Sequence, residues 1–279
     1  MEFGASIFFT DYSITPAALA VALEERGFDS LWAAEHSHIP VPRRTPPPGG
    51  GELAKRYYDV MDPFVTLAVA AAATKTLKVA TGICLVIQRD TIQTAKLVAS
   101  IDQTSGGRFL FGIGGGWNAE EIESHGTVFT TRMKKMREQM EAMKAIWTKT
   151  TAEYNGEIVK VPSMQTWPKP VQKPHPPILL GGAFPWAARR AIRYGDGWFP
   201  NASSGNPEEY MPRFRQMASE AGRDPLPVTI GGAPEDLAQL QKFRELGAAR
   251  VNVSLPAEGA DKVLPILDRW AGLMRQVRG

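Results

Sequence analysis

Strand-like segments and helix-like segments follow one another eight times along the chain, and that alternation requires parallel strands joined by crossover helices. In the first half the pairs are Phe3–Phe9 with Pro16–Arg26, Ser30–Ala34 with Pro63–Thr74, Lys78–Val86 with Thr91–Thr104, and Phe109–Ile113 with Arg132–Trp147. In the second half they are Ile178–Leu180 with Pro185–Tyr194, Gly197–Pro200 with Glu208–Ala221, Val228–Ile230 with Glu235–Leu246, and Arg250–Leu255 with Asp261–Gln276. Helix punctuation agrees with this division: Pro16 stands near the start of the first helix and Gly27 just past its end. Eight such units in 279 residues fit an α/β fold of the (β/α)8 TIM-barrel type, whereas a doubly wound open sheet usually stops at about five to seven strands.

Two segments break the rhythm, and each is longer than the few residues that normally join a strand to a helix. Residues 37–62, after strand two, hold Pro40, Pro42, Pro46, Pro47, Pro48 and Gly49–Gly51. That composition disfavours a packed element and predicts a mobile lid on the catalytic face. Residues 149–177, before strand five, contain Glu153–Val161 with an Asn155-Gly156 turn signal, which predicts a hairpin followed by a Pro-rich return. This insertion is expected to shape the active site or an oligomer contact. The remainder reads as one barrel domain spanning residues 1–279.

Composition narrows the partners. The 32 Lys and Arg against 29 Asp and Glu give a formal charge of +3, with the basic residues scattered rather than massed, so nucleic acid is not an expected partner. Cys84 is the single cysteine, which excludes an internal disulfide and a multi-cysteine metal site and favours the reducing cytoplasm. Met1 leads almost directly into the first strand without a charged n-region, and no stretch is apolar and long enough to span a bilayer.

In a barrel the chemistry is read from the C-terminal ends of the strands. Strand two ends in Glu35-His36, strand three in Thr81-Gly82-Ile83, strand four in Gly112 to Asn118, strand five in Gly181-Gly182 and strand six in Asn201. Repeated glycine at these positions is expected where backbone amides approach a phosphate or a flat ring, though glycine there also serves the turn from strand to helix. A dinucleotide fingerprint in Gly112–Gly116 fails because Trp117 occupies the place of its third glycine. His36 is open to three roles: general acid or base, ring donor, or metal ligand with Glu35 and His38. Because successive strand residues point to opposite faces, Glu35 and His36 are not expected to chelate one ion, and no metal is assigned. His125 and His175 lie outside the strand ends. No strand end supplies the lysine of an aldolase, and only Glu35, Glu120 and Glu121 lie near for a glycosidase. Such a site suits a cofactor that brings its own chemistry.

Five motifs carry a resemblance: Phe28-Asp-Ser-Leu-Trp-Ala-Ala-Glu-His36, Thr81-Gly-Ile83, the run from Ser105 through Gly112-Ile-Gly-Gly-Gly-Trp-Asn118 to Glu121, Leu179-Leu-Gly-Gly182 and Gly195-Asp-Gly-Trp-Phe199. With them the chain resembles, over nearly its whole length, the bacterial luciferase-like family of flavin- and deazaflavin-dependent oxidoreductases. It is most similar to the branch that uses coenzyme F420. The resemblance implies a tricyclic ring across the barrel mouth, with Gly82-Ile83, often a cis peptide in the family, as a bulge behind it and Leu85 continuing that wall. It implies that Glu35 and His36 flank the ring, with His36 as catalytic proton donor, alongside Thr81. Gly114, Gly115, Gly116 and Asn118 would line the phosphate channel with Gly181, Gly182 and Ala183, while Asn201 would border the substrate. Family members are commonly dimers.

Trp117 stands where the family's sugar-phosphate dehydrogenases have a glutamate, and the lysines that hold their substrate's phosphate have no counterpart here, so the resemblance implies a less polar organic substrate, with Trp117 beside it. The leading expectation is hydride transfer between F420 and a small organic substrate. The alternatives are a monooxygenase using reduced flavin mononucleotide (FMN) and dioxygen, and a flavin- or deazaflavin-binding protein without catalysis.

Overall fold

The computed structural model describes residues 1–47 and 49–279; Pro48, one of the prolines of the expected lid, lies outside the described residues. In chain order the elements are β1 (Glu2–Ile7), α1 (Pro16–Glu25), β2 (Ser30–Ala33), α2 (Pro63–Ala73), β3 (Lys78–Thr81), α3 (Thr91–Thr104), β4 (Phe109–Ile113), α4 (Ala119–Ser124) and α5 (Arg132–Thr148). There follow β5 (Ala152–Asn155), β6 (Lys160–Met164), β7 (Ile178–Gly181), α6 (Trp186–Tyr194), β8 (Gly197–Phe199), α7 (Pro207–Glu220), β9 (Thr229–Gly231), α8 (Leu237–Glu245), β10 (Arg250–Ser254) and α9 (Ala260–Arg278).

Helix starts follow local chemistry. Thr15, Asp62, Asp90, Asn206 and Asp236 each accept a backbone N–H of the following turn, and Pro16, Pro63 and Pro207 occupy the first helical position, where no N–H is needed.

Eight strands form one sheet in the order β8-β7-β4-β3-β2-β1-β10-β9, every neighbouring pair parallel. Trp198 N donates to Pro227 O at 3.0 Å and Gly231 N to Pro200 O at 2.8 Å, which brings the edge strands together and closes the expected TIM barrel. Its interior is a small cluster of Trp32, Ala80, Leu110 and Leu179, capped by Phe199. A larger core fills the layer between strands and helices. Alternate residues of each strand serve the two layers, as the period of two requires.

The eight expected pairs are present with ends shifted by a few residues. Strand three, expected to reach Val86, stops at Thr81, because the chain turns inward at Gly82; the Gly82-Ile83 peptide is cis, and Val86–Gln88 forms a single 3₁₀ turn. The expected hairpin is β5 and β6, antiparallel, with Asn155 opposite Lys160. Helix α4 was not expected from the sequence. The described residues of the insertion at 37–62 carry a 3₁₀ turn at Lys55–Tyr57 and are tied to the barrel along its length: Ser37 binds Glu121, Arg44 binds Glu120 and Glu123, and Asp62 binds Arg89. Among the described residues no helix is long and apolar enough to cross a membrane.

Candidate active site

The C-terminal ends of the strands surround a cavity of about 530 Å³, within the range of about 300–1,000 Å³ that holds a drug-sized ligand or cofactor. Of the residues singled out from the sequence, Gly82, Ile83, Gly114, Gly115, Gly116, Trp117, Gly181, Gly182, Ala183 and Asn201 line it. The sequence reading missed Phe8, Met133, Trp186, Arg190, Phe199 and Ser254 on the same surface. Their positions depend on helix and strand register rather than on any motif.

The glycines have two distinct reasons. A Cβ on Gly114 would stand 1.8 Å from Ile83 Cδ1, and one on Gly115 would stand 2.4 Å from Met133 Cε, so these glycines admit the protein's own side chains to the cavity wall. Gly112 is stricter, since its Cβ would meet the Thr81 carbonyl oxygen at 2.1 Å. Gly116 and Gly182 have positive φ, 61° and 125°, which a side chain would strain.

Just past the end of β2, Glu35 and His36 turn to separate partners. Glu35 faces away from the cavity. It accepts a hydrogen bond from Leu85 N at 2.6 Å and from Arg89 Nε at 2.6 Å, while Arg89 also reaches Asp62. The pair therefore fixes the segment that follows the cis peptide, and the two neighbouring carboxylates raise the Arg89 pKa although burial opposes it. Thr81 and Leu85 are buried behind the wall; Thr81 Oγ1 donates to Gly112 O at 2.7 Å.

His36 packs its ring 5.2 Å from Tyr57 and 5.8 Å from Trp117, with Arg43 on Trp117 at 5.6 Å. Its Nδ1 lies 2.7 Å from Glu121 Oε2, a carboxylate on α4. Ser37 N donates to the other oxygen at 3.0 Å. Burial works to raise the Glu121 pKa, but the hydrogen bond and charge of His36 and the Ser37 N–H outweigh it and hold it below the ordinary range. An ionised carboxylate only accepts, so Nδ1 of His36 carries the proton, leaving Nε2 as the second ring nitrogen able to hold or take one. Ser37 Oγ continues the contacts outward, 2.7 Å from His125 Nε2 and 2.9 Å from His38 Nδ1. Burial first, then the charge of His38, lowers the His125 pKa.

In the sequence Glu121 stands only as a nearby carboxylate and as the last residue of the run that begins at Ser105, with no role attached. The signal that could have marked it is Asn118 followed by Glu120-Glu121, an acidic first turn at a helix start. Asn118 is buried, and neither its Nδ2 nor its Oδ1 has a partner. Asn201 Oδ1 accepts from Ser203 N and Oγ. Among the described residues no group of three metal-ligating side chains converges.

The luciferase-like monooxygenase family model matches residues 15–234. An uncharacterised protein of Mycobacterium tuberculosis is 37% identical over 97% of this chain and 98% of its own length. The F420-dependent hydroxymycolic acid dehydrogenase of the same organism is 26% identical, over 78% of this chain and 57% of the dehydrogenase. The FMNH2-dependent dimethylsulfone monooxygenase of Pseudomonas putida is 34% identical over 39% of this chain and 31% of its own. A crystal structure of a monooxygenase from Streptomyces bottropensis superposes with a TM-score of 0.82 at 19% identity, covering 100% of both chains, and so shares the fold.

Proposed function

The chain belongs to the luciferase-like monooxygenase family, and from that premise we propose that it is an oxidoreductase that binds coenzyme F420 at the barrel mouth and exchanges a hydride between it and a small organic substrate. The observation that carries this reading is that Trp117, on the cavity wall with Gly82 and Ile83, packs against the ring of a buried His36, itself behind that lining, whose Nδ1 is committed to Glu121. The residues present fit a flat tricyclic group. Ile83 and Gly114–Gly116 form one wall, Phe8, Trp117 and Phe199 add aromatic surface, and Arg190 supplies a cation. The unpartnered amide of Asn118 is a buried polar group still requiring a partner.

When bound, the deazaflavin would give or take the hydride, while the protein would orient it, exclude water and manage a proton. His36 holds or takes that proton at Nε2, and Glu121 fixes the ring and stabilises its charged form. Glu35 positions the 82–85 wall through Leu85 and Arg89. Gly181, Gly182 and Ala183 border the part of the cavity where the anionic side chain of the cofactor would enter, and Asn201 and Trp117 border the substrate. Tyr57, from the insertion after β2, covers His36. In the same reading the protein works in the cytoplasm as a homodimer.

The relative that uses reduced FMN favours a second reading, a monooxygenase that activates dioxygen. Calorimetric titration with F420 and with FMN, each oxidised and reduced, separates the two. Binding of F420 alone supports hydride transfer, preference for reduced FMN selects the monooxygenase, and binding of neither removes both.

A further inference from the structure

Basic residues that are dispersed in the sequence converge in the fold. A groove of about 530 Å³ runs between α5 and α6, lined by Lys134 and Arg137 from one helix and Arg189, Arg190 and Arg193 from the other. Among the described residues, no carboxylate lines it. Met133, Trp186 and Arg190 belong to both this groove and the cavity at the barrel mouth, so the two are continuous.

The spacing explains the convergence. Arg189, Arg190 and Arg193 stand at i, i+1 and i+4 on α6 and so form a stripe about 6 Å long at 1.5 Å per residue. Lys134 and Arg137, three apart, share the facing side of α5. Neighbouring acids neutralise only the α5 side: Lys134 pairs with Glu157, and Arg137 lies 3.8 Å from Glu138 and 3.6 Å from Glu141. Among the described residues, the three arginines of α6 make no ion pair. Arg189 instead stacks on Trp186 at 5.0 Å. Unneutralised like charges repel, and the field is felt nearby: after burial, the charge of Arg190 is what lowers the Arg132 pKa. An anionic chain entering from the mouth would relieve that repulsion, and guanidinium groups suit phosphate and carboxylate equally.

We propose that this groove binds the anionic tail of the cofactor, a chain with a phosphodiester followed by several carboxylates, such as the oligoglutamyl tail of F420. A single terminal phosphate, as in FMN, leaves most of the groove's cations unmatched, so the groove selects between the two cofactors. The inference rests on the F420 reading above and adds to it the residues that recognise the tail.

The test is calorimetric titration of the full-length protein and of the double variant Arg189→Glu/Arg193→Glu with three ligands: F420, the same deazaflavin ring without phosphate or tail, and FMN. Both substituted residues lie outside the mouth cavity, and a thermal melt confirms that the variant is folded. In the wild type, F420 binds at least tenfold more tightly than the tail-less ring at low salt, and this advantage shrinks as salt rises. Charge reversal removes at least tenfold of F420 affinity and leaves the tail-less ring within twofold. Equal affinity of F420 and the tail-less ring, or unchanged F420 affinity in the variant, overturns the groove while the F420 reading stands. Binding of FMN with neither deazaflavin overturns both.

Discussion

His36 Nδ1 and Glu121 Oε2 are 2.7 Å apart, and both side chains are almost wholly buried, at 7% and 1% exposure. The contact joins the end of β2 to the first turn of α4 across 85 residues and decides which nitrogen of His36 is protonated. In Glu121→Gln the amide can face the ring with either its oxygen or its nitrogen, so both His36 tautomers become populated. Nitrogen-15 spectra of the His36 ring are expected to show a protonated Nδ1 in the wild type and a mixture in the variant. A single unchanged tautomer would contradict the assignment.

Truncation of the same residue is expected to be costly. Glu121→Ala leaves the Ser37 N–H and the His36 ring without their buried acceptor, a loss of about 3 kcal/mol. Urea denaturation measures it, and a loss below about 1 kcal/mol would mean that water replaces the carboxylate.

Gly112 and Gly114 are expected to differ although both stand in one glycine-rich run. A methyl on Gly112 meets the fixed Thr81 carbonyl, whereas one on Gly114 meets the movable tip of Ile83. Gly112→Ala should lose at least about 3 kcal/mol of stability, and Gly114→Ala about 1–2 kcal/mol. Because Ile83 must swing within the cavity, Gly114→Ala should also weaken cofactor binding about tenfold or more, read by titration.

Glu24 at the end of α1 accepts from the backbone N–H groups of Lys75, Thr76 and Leu77 and from the Thr76 hydroxyl. Burial works to raise its pKa, but these bonds prevail and hold it at about 2 against an ordinary 4.5. A depressed folded-state value means that the contribution is complete above about pH 4.5 and is lost as pH falls toward 2. Glu24→Gln should therefore be less stable than the wild type at pH 7, by about 1–2 kcal/mol given the solvent at this site, and the difference should vanish near pH 2. Denaturation midpoints across pH 2–7 check it; a constant difference would mean that ionisation is irrelevant.

Glu35 tests positioning against ring contact. Glu35→Ala strips Leu85 N–H of its acceptor and leaves Arg89 with Asp62 alone, for an expected loss of about 2–4 kcal/mol. Glu35→Gln retains the acceptor for Leu85 and should recover most of the stability and the cofactor affinity, as measured by melting and titration. Loss of affinity without loss of stability would instead place Glu35 on the ring.

What the sequence determined by itself is the architecture. Short strand-like segments alternating with helices must bury both faces, prolines and capping residues such as Pro63 with Asp62 set the helix starts, and eight repeats close a barrel whose chemistry lies at the strand ends. Strand-end motifs also pointed to ten of the 22 residues that line the cavity, since a strand end is a position that local pattern reveals. Only the tertiary structure decided which partners those residues meet. His36 finds Glu121, Glu35 finds Arg89, and five dispersed cations gather on α5 and α6. These pairings depend on how helices rotate and pack over the barrel, and they join residues far apart in the chain. No local periodicity encodes that relationship; close packing of side chains between the layers fixes it.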